Sequence, residues 1–358
     1  MKRIELVHPV YPMSARNKIS DYLFSGKWNT EGKDTIKLEQ RFAKMVKSNH
    51  AIAVTSGTTA LMLCGMMYGI GKGDKVIVPS LTMVASATAF CALGATIVPL
   101  DTDDSGCLSY KDVCEYFTSD VKAIVYVSLN GRCGDIDKMK SFCKIKGIPL
   151  IEDACQSLGS YHDGRQIGTI GDVGCFSFSP HKLISTGNGG MIVTNDEASA
   201  IALRRLKNFG RVYGGSDNHE YIGINAKFTD IQAILCLEQM RQIRKRVSRK
   251  RHIYSLYKKN LSGIVDFVES QRGFTPWMVD VYVDCPAELK DRLERHGIQT
   301  RLMYPTLYEQ KCFKEQTSSL YQSNSYFASS HGIWLPSAID MSDEDVIYVC
   351  NCIRGFYK

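Results

Sequence analysis

Short apolar runs alternate with helical segments through the first half of the chain. Helical patterns cover residues 58–68 and 85–93. Such an alternation is typical of a mainly parallel sheet with helices on both faces. Ligand chemistry in these sheets takes place at the carboxyl ends of the strands. The runs that we predict to be strands are residues 51–55, 75–79, 96–100, 123–127 and 148–151.

The character of the chain changes after a long helical pattern over residues 229–261. Beyond it, short elements are separated by Pro276, Pro286, Pro305 and Pro336. We therefore predict two domains: a large α/β domain over residues 1–245 and a smaller C-terminal α+β domain over residues 246–358.

Composition excludes several classes of protein. With 358 residues and 44% hydrophobic content, the core needs no disulfide or metal to stabilise it. The thirteen cysteines are scattered singly and form no Cys-x-x-Cys pair, so we expect reduced thiols and no metal site. No signal segment or membrane-length apolar run is visible, which predicts a soluble cytoplasmic protein without a membrane partner.

The net charge of +7 is concentrated in the basic run over residues 241–252. Nucleic-acid binding is one interpretation of such a run, but no aromatic residues interrupt the basic ones. Because the run lies in a helical pattern, a solvated helix face is favoured. No nucleic-acid partner is expected, whereas a small polyanionic substrate is compatible with the charge.

The segment over residues 176–194 points to Lys182 as the chemical centre. An apolar strand ends in hydroxyl side chains, the lysine follows, and a glycine-rich turn leads to a second apolar strand. A lysine held partly away from water favours its neutral amine, which forms a Schiff base with a carbonyl. The alternative is an exposed loop lysine in a plain hairpin.

Two other strand ends carry polar groups. Ser56, Gly57 and Thr58 lie between a strand and a helix, where free N–H groups can bind an anion, although the hydroxyls could serve only as helix caps. Asp153 ends an apolar run and needs a cation, such as a protonated heterocyclic nitrogen. A plain salt bridge or a cap is its alternative role. Ser177 could add a hydroxyl to the same anion site.

Taken together, these residues resemble the DegT/DnrJ/EryC1/StrS sugar aminotransferases, which depend on pyridoxal 5′-phosphate (PLP). The family belongs to the fold-type I aspartate aminotransferase superfamily, so the resemblance implies that fold. Among its members, those of the perosamine-synthase type resemble this chain most in the residues of these motifs. The stretches that carry the resemblance are residues 25–32, 56–61, 73–79, 152–156, 176–182, 186–190, 223–230 and 297–305.

The resemblance implies a role for each matched residue. Lys182 corresponds to the lysine of the internal aldimine, Asp153 to the acid at the pyridine nitrogen, and Gln156 to the amide at the ring hydroxyl. Asn225 corresponds to a residue lent by the partner subunit, which implies a homodimer with shared active sites. The other matched positions are Ser56, Gly57, Thr58 and Ser177 at the phosphate, Met83 in place of a stacking aromatic residue, and Asn188 where glutamate or glutamine is more usual.

The implied reaction moves an amino group from L-glutamate to a nucleotide-linked keto sugar, as in amino-sugar supply for glycans such as O-antigen. A 4-keto-6-deoxy hexose on GDP, dTDP or UDP is the expected substrate, with amination at C3, or of a cyclitol in an antibiotic pathway, left open. Lys182 would be the general base, since it is tethered within reach. By position alone, Trp28, Thr30, His181 and Lys227 are candidate substrate contacts.

Two alternatives remain. A dehydratase branch of the family carries histidine in place of the lysine, but Lys182 has the motif's spacing from Phe178 and to Gly187, and His181 is displaced by one position. His181 is then a neighbour at the pocket rim. The other alternative is a non-catalytic regulator that has kept the fold.

Overall fold

The computed structural model describes residues 3–213, 215–313 and 323–357. Its strands are β1 (His50–Val54), β2 (Lys75–Pro79), β3 (Thr96–Leu100), β4 (Val121–Val127), β5 (Leu150–Asp153), β6 (Tyr161–His162), β7 (Arg165–Gln166), β8 (Val173–Ser177), β9 (Gly190–Thr194), β10 (Val279–Tyr282), β11 (Arg301–Leu302) and β12 (Gly332–Leu335). Its α-helices are α1 (Met13–Phe24), α2 (Lys33–Val46), α3 (Gly57–Met67), α4 (Ala85–Cys91), α5 (Tyr110–Tyr116), α6 (Ile136–Lys146), α7 (Glu197–Leu206), α8 (Asp230–Met240), α9 (Ile243–Leu261), α10 (Pro286–Arg295), α11 (Ser323–His331) and α12 (Asp343–Arg354).

The large sheet has seven strands in the order β1-β9-β8-β5-β4-β2-β3. The pairs from β8 through β5, β4 and β2 to β3 are all parallel. Only β9 runs antiparallel to both of its neighbours, because it follows β8 without a crossover helix. The predicted α/β fold with a mainly parallel sheet is therefore confirmed.

Side chains on the two faces of the sheet enter two separate hydrophobic cores. In β1, Ala51 and Ala53 belong to one core and Ile52 and Val54 to the other. This alternation follows from the two-residue period of a strand. Because helices cover both faces, apolar residues are buried on each side, which is why the strands are continuous apolar runs in the sequence.

The C-terminal part of the chain has its own sheet and core. β10, β12 and β11 form a three-stranded antiparallel sheet. Its core combines residues of α9, α10 and α12 with residues of β10 and β12. The predicted helix over residues 229–261 is two helices, α8 and α9, with a break at Arg241 and Gln242. The domain division at residue 245 stays a prediction.

The interpretation of the basic run as a solvated helix face is wrong for two of its residues, whereas Arg244, Lys245 and Arg251 on the same helix are exposed. Arg246 and Lys250 are buried. Arg246 donates to the carbonyl oxygens of Leu183 at 3.0 Å and Val10 at 2.6 Å. Arg251 donates to the carbonyls of Gly159 and Gly273. These cations therefore bind the backbone of distant loops, a role that helical periodicity does not show.

The structure also shows the state of the cysteines and the character of the helices. All thirteen cysteines lie among the described residues and none of them forms a disulfide; Cys114, Cys285 and Cys312 are exposed. Among the described residues, no helix combines the length and apolar character that crossing a bilayer requires.

Candidate active site

Lys182 lies in the connection between β8 and β9, at the carboxyl end of β8. Backbone hydrogen bonds fold this connection onto itself: Phe178 N–H donates to Gly189 at 2.8 Å, and Thr186 N–H donates to Phe178 at 2.9 Å. The lysine is partly buried, and it lines a cavity of about 210 Å³. It is therefore not the exposed hairpin lysine of the alternative interpretation. We call this cavity the lysine pocket.

The surroundings of the Lys182 amine favour its neutral form. Burial, assisted by the charge of Arg301, lowers its pKa from 10.5 to about 8, although Cys155 and Asp153 act in the opposite direction. Its Nζ lies 3.9 Å from the centroid of the Trp277 ring. An amine with this pKa is partly unprotonated near neutral pH, which is the form that can act as nucleophile or base.

The lysine pocket contains most of the site residues that the sequence predicts. The structure therefore brings together positions from the ends of β1, β5 and β8 and from the turn after β2. The predicted residues that line it are Ser56, Gly57, Thr58, Met83, Asp153, Gln156, Ser177, His181, Lys182 and Asn188.

The N-terminus of α3 forms one wall of the pocket. Ser56 caps the helix, since its hydroxyl accepts a hydrogen bond from Thr59 N–H at 3.0 Å. Gly57 follows, and a β-carbon there would lie 2.7 Å from Cys155 Sγ and 3.1 Å from Ser177 Cβ. Only glycine therefore fits between the helix and the strand ends. Capping and anion binding do not exclude each other, because the first-turn N–H groups still point out of the helix.

Asp153 is buried, with 6% of its surface exposed, and lines the pocket. Its carboxylate accepts hydrogen bonds from Ser86 Oγ at 2.7 Å and from Cys155 N–H at 3.1 Å. Within the described part of the chain, no basic side chain forms an ion pair with it. The salt-bridge alternative is thus not observed. A buried carboxylate of this kind is costly unless a cation reaches it from the pocket.

The side chain of Gln156 is oriented by a hydrogen bond from the backbone of Asn130. Its Oε1 accepts a hydrogen bond from the backbone N–H of Asn130 at 2.7 Å. A backbone N–H can only donate, so the amide oxygen must face Asn130 and the side-chain NH₂ group is the one available to the pocket. Asn130 is itself fixed by Asp280, to which its Nδ2 donates at 2.6 Å. Asp280 also forms a buried ion pair with Arg132. The orientation of Gln156 therefore depends on β10.

His181 and Met83 lie at the pocket boundary. Burial, with contributions from Lys182 and Arg301, lowers the pKa of His181 to about 4, so this imidazole is neutral at physiological pH. Its Nε2 lies 3.3 Å from Ser179 Oγ. Met83 is 43% exposed, and its sulfur accepts a hydrogen bond from Ala85 N–H.

Six further pocket residues had no predicted role, and three of them, Cys155, Arg301 and Tyr304, carry polar or charged groups at the end of a strand or in the second sheet and its loop. Arg301 and Tyr304 come from the second sheet and its following loop, and Cys155 lies between Asp153 and Gln156. The Arg301 guanidinium lies 5.3 Å from the Tyr304 ring centroid. Both residues belong to the stretch over residues 297–305 that carries the family resemblance, and this stretch was the only signal that could have indicated them.

Four predicted residues lie elsewhere in the subunit. Trp28, Thr30 and Lys227 line a separate, open cavity of about 680 Å³, which we call the basic cavity. Asn225 is exposed and forms a β-bridge with Asn208, which also lines that cavity. Within one subunit, therefore, these four residues do not reach Lys182. The other cationic residues of the basic cavity are Arg204, Arg205, Lys207 and Arg211.

A partly buried lysine beside a buried acid and a helix N-terminus, all at the carboxyl edge of a mainly parallel sheet, defines a fold-type I enzyme. The sequence model of the DegT/DnrJ/EryC1/StrS aminotransferase family matches residues 13–354. The chain belongs to this family of aminotransferases.

Individual relatives agree with this assignment. The chain is 34% identical to GDP-perosamine synthase of Escherichia coli O157:H7, with 98% of each chain covered. It is 33% identical to GDP-perosamine synthase of Vibrio cholerae, with 98% of this chain and 99% of the relative covered. Among solved structures, the aminotransferase TlmJ from Streptoalloteichus hindustanus superposes with a TM-score of 0.93 at 27% identity, covering 99% of this chain and 98% of the other.

Proposed function

We propose that this protein is a PLP-dependent aminotransferase that moves an amino group from L-glutamate to a nucleotide-linked keto sugar. The observation that carries the proposal is Asp153, a buried carboxylate with no cationic partner among the described residues, in the same cavity as the Lys182 amine. Family membership and the two GDP-perosamine synthase relatives support it.

The residues of the lysine pocket fit PLP. Lys182 would carry it covalently through Nζ, and Asp153 would face its ring nitrogen. The N-terminus of α3 and the Ser177 hydroxyl would hold its phosphate, since Gly57 leaves no side chain in that space. When bound, PLP supplies an electron sink for the carbanion formed as the substrate loses a proton.

Each side chain would then have a task that its surroundings support. Asp153 would keep the ring nitrogen protonated, because a neighbouring carboxylate favours the charged form. The Gln156 NH₂ group would donate to the ring hydroxyl. Lys182, with its pKa near 8, would accept and return the substrate proton. Met83 would cover the ring with its thioether.

For the acceptor, we propose a 4-keto-6-deoxy hexose linked to GDP. The support is the pair of relatives named as GDP-perosamine synthases, each matched over nearly its whole length. A diphosphate needs cations, and the basic cavity contains Lys227 beside Trp28 and Thr30. Its other cations already pair with carboxylates within the chain, so a diphosphate would have to share or displace these partners: Arg204, Arg205, Lys207 and Arg211.

We further propose a homodimer in which Asn225 and the basic cavity of one subunit complete the lysine pocket of the other. Large apolar side chains are exposed in the same part of the chain: Phe24 is 90%, Trp28 81% and Ile222 93% exposed. Where such side chains adjoin on the surface, they form the kind of apolar patch that a partner covers. The cytoplasmic location stays a prediction.

The cofactor proposal can be tested on purified protein. PLP-loaded protein should be yellow, borohydride should fix the cofactor onto Lys182, and glutamate should bleach the visible band. Lys182→Ala should abolish the band, whereas the matched substitution Lys227→Ala should keep it. Protein that takes up no cofactor would support the regulator alternative instead.

The substrate is tested by incubation with 4-keto-6-deoxy hexoses linked to GDP, dTDP or UDP, followed by mass spectrometry. Amination of the GDP sugar in preference to the others is expected. A product that has lost a hydroxyl without gaining nitrogen would indicate the dehydratase chemistry and contradict the proposal.

The shared site is tested by mixing two inactive variants, Lys182→Ala and Asn225→Ala. If each site uses residues of both subunits, a mixed dimer carries one intact site, and about a quarter of the wild-type activity should return after subunit exchange. No recovery, with mixed dimers shown to be present, would contradict shared active sites.

A further inference from the structure

Trp277 lies directly against the Lys182 amine. The Nζ of Lys182 is 3.9 Å from the centroid of the indole ring, and 95% of the Trp277 surface is buried, since only 5% is exposed. In the part of the chain that the structure describes, this amine forms no hydrogen bond. An aromatic face attracts an ammonium group strongly and a neutral amine only weakly. The strength of this contact therefore depends on the protonation state of Lys182.

The Trp277 ring is fixed from several sides. Its indole N–H donates to the carbonyl of His181 at 2.9 Å. Its own carbonyl accepts a hydrogen bond from Lys250 Nζ at 2.7 Å. The edge of Trp334 packs against it with ring centroids 5.5 Å apart. A ring held in this way keeps its face in place while Lys182 moves.

Lys182 also has room to move. It lines the lysine pocket on one side and, on the side of Trp277, a second cavity of about 20 Å³. The small cavity has space for about one water molecule. The amine can therefore extend toward Asp153 or withdraw onto the indole face.

We propose that Trp277 is a positioning residue that holds the Lys182 amine during the part of the cycle in which this amine is protonated and not bonded to the cofactor. This inference rests on the proposed function, because only an amine that is released and reattached needs such a place. By drawing the ammonium away from Asp153, the ring keeps that carboxylate free for the cofactor nitrogen. No other described aromatic ring is placed over this amine.

Other groups also act on the charge of Lys182. Asp153 and Cys155, at the end of β5, favour the ammonium form. Arg301 on β11 opposes it, and His181 and Tyr304 face the same pocket. Lys250 on α9 lines the small cavity. Because these influences partly cancel, the effect of the ring has to be isolated by substitution.

The decisive measurement is the pKa of Lys182 in the apoprotein. Competitive acetylation with isotopically labelled acetic anhydride, followed by mass spectrometry of the peptide that contains Lys182, gives this pKa without any enzymatic assay. Trp277→Leu removes the ring and should lower the pKa by about half a unit to one unit. Trp277→Phe keeps a ring but loses the indole N–H, and it should lower the pKa by less. An unchanged or raised pKa in Trp277→Leu, or equal shifts in both variants, would overturn the proposal.

A second measurement does not depend on the folding of the Trp277 variants. The fluorescence of wild-type apoprotein should change in a step as the pH rises through the Lys182 pKa, because the indole loses its neighbouring charge. The step should be absent in Lys182→Met. A step that persists in Lys182→Met, or that is absent from the wild type, would contradict the proposal. Borohydride fixation of PLP tests the proposed function separately, so the two failures can be distinguished.

Discussion

Two lysines lie close to the candidate active site, Lys250 buried and Lys182 partly buried, and their surroundings differ. Lys250 Nζ donates three hydrogen bonds: to the carbonyls of Trp277 at 2.7 Å and Ser337 at 2.6 Å, and to Ser337 Oγ at 3.0 Å. Lys182 Nζ has no hydrogen-bond partner among the described residues; it lies over the face of Trp277 and lines the lysine pocket. Burial lowers the pKa of both amines, to about 7 for Lys250 and to about 8 for Lys182.

The comparison shows that a lowered pKa does not by itself identify a reactive lysine. Both amines are desolvated, but every direction around Lys250 is taken by an acceptor, and the side chain joins α9 to two loops. Lys182 lacks such partners in the described structure, so its amine can reach a ligand. Two measurements therefore test this distinction: the stability of a variant that lacks Lys182, and the reactivity toward PLP of a variant that lacks Lys250.

The largest difference is expected in covalent cofactor attachment. Lys182→Met should lose the attachment and at least about a thousandfold of the transamination rate, since the nucleophile is gone. Lys250→Met should still attach PLP. After borohydride reduction, peptide mass spectrometry should find the cofactor on Lys182 alone. Cofactor recovered on Lys250 would contradict the distinction between the two lysines.

Stability should change in the opposite order. Lys250→Met leaves the buried carbonyls of Trp277 and Ser337 without a donor, which should lower the free energy of unfolding of the apoprotein by about 2–4 kcal/mol. Lys182→Met breaks no hydrogen bond within the described structure and removes a desolvated amine. It should leave this free energy unchanged or raise it by up to about 1 kcal/mol. Urea denaturation of both apoproteins is the measurement, and a more stable Lys250→Met would overturn this interpretation.

The pH dependence of PLP uptake should follow Lys182. Below its pKa the amine is protonated and cannot attack, so the uptake rate of the apoprotein should rise about tenfold per pH unit and level off above about pH 8. Stopped-flow absorbance measures the rate. The midpoint should remain near 8 in Lys250→Met. A midpoint near the ordinary lysine value, or a rate that falls as the pH rises, would contradict the lowered pKa.

The smallest effect is expected at Ser337. Ser337→Ala removes one of three acceptors of Lys250 and leaves both carbonyl acceptors in place. The free energy of unfolding should fall by about 0.5–1.5 kcal/mol, the usual contribution of one hydrogen bond. The midpoint of PLP uptake should not move. A shift in this midpoint would mean that the two lysines are coupled more closely than their contacts indicate.

The sheet could be predicted because each strand is a local apolar run. The predicted strands at residues 75–79 and 96–100 have the same bounds as β2 and β3. The break between α8 and α9 was missed, since apolar spacing continues across Arg241 and Gln242. The burial of Arg246 and Lys250 was missed as well, because their acceptors are carbonyls of loops far away in the sequence.

In the candidate site, the residues at strand ends could be placed from the sequence. Parallel strands align their carboxyl ends at one edge, so Gly57, Asp153 and Lys182 were expected to meet, and they line one pocket. Trp277, Arg301 and Tyr304 could not be placed in the same way. They come from the second sheet and its flanking segments, and their position depends on how that sheet packs against the first.

The sequence by itself determined which residue types stand at the strand ends and the order of the strands along the chain, because periodicity and turn residues act over short distances. The tertiary structure decided which lysine amine is available to a ligand and which is held by hydrogen bonds within the protein. That difference is set by the acceptors around each amine, and those acceptors come from segments such as Trp277 and Ser337, many residues away from either lysine.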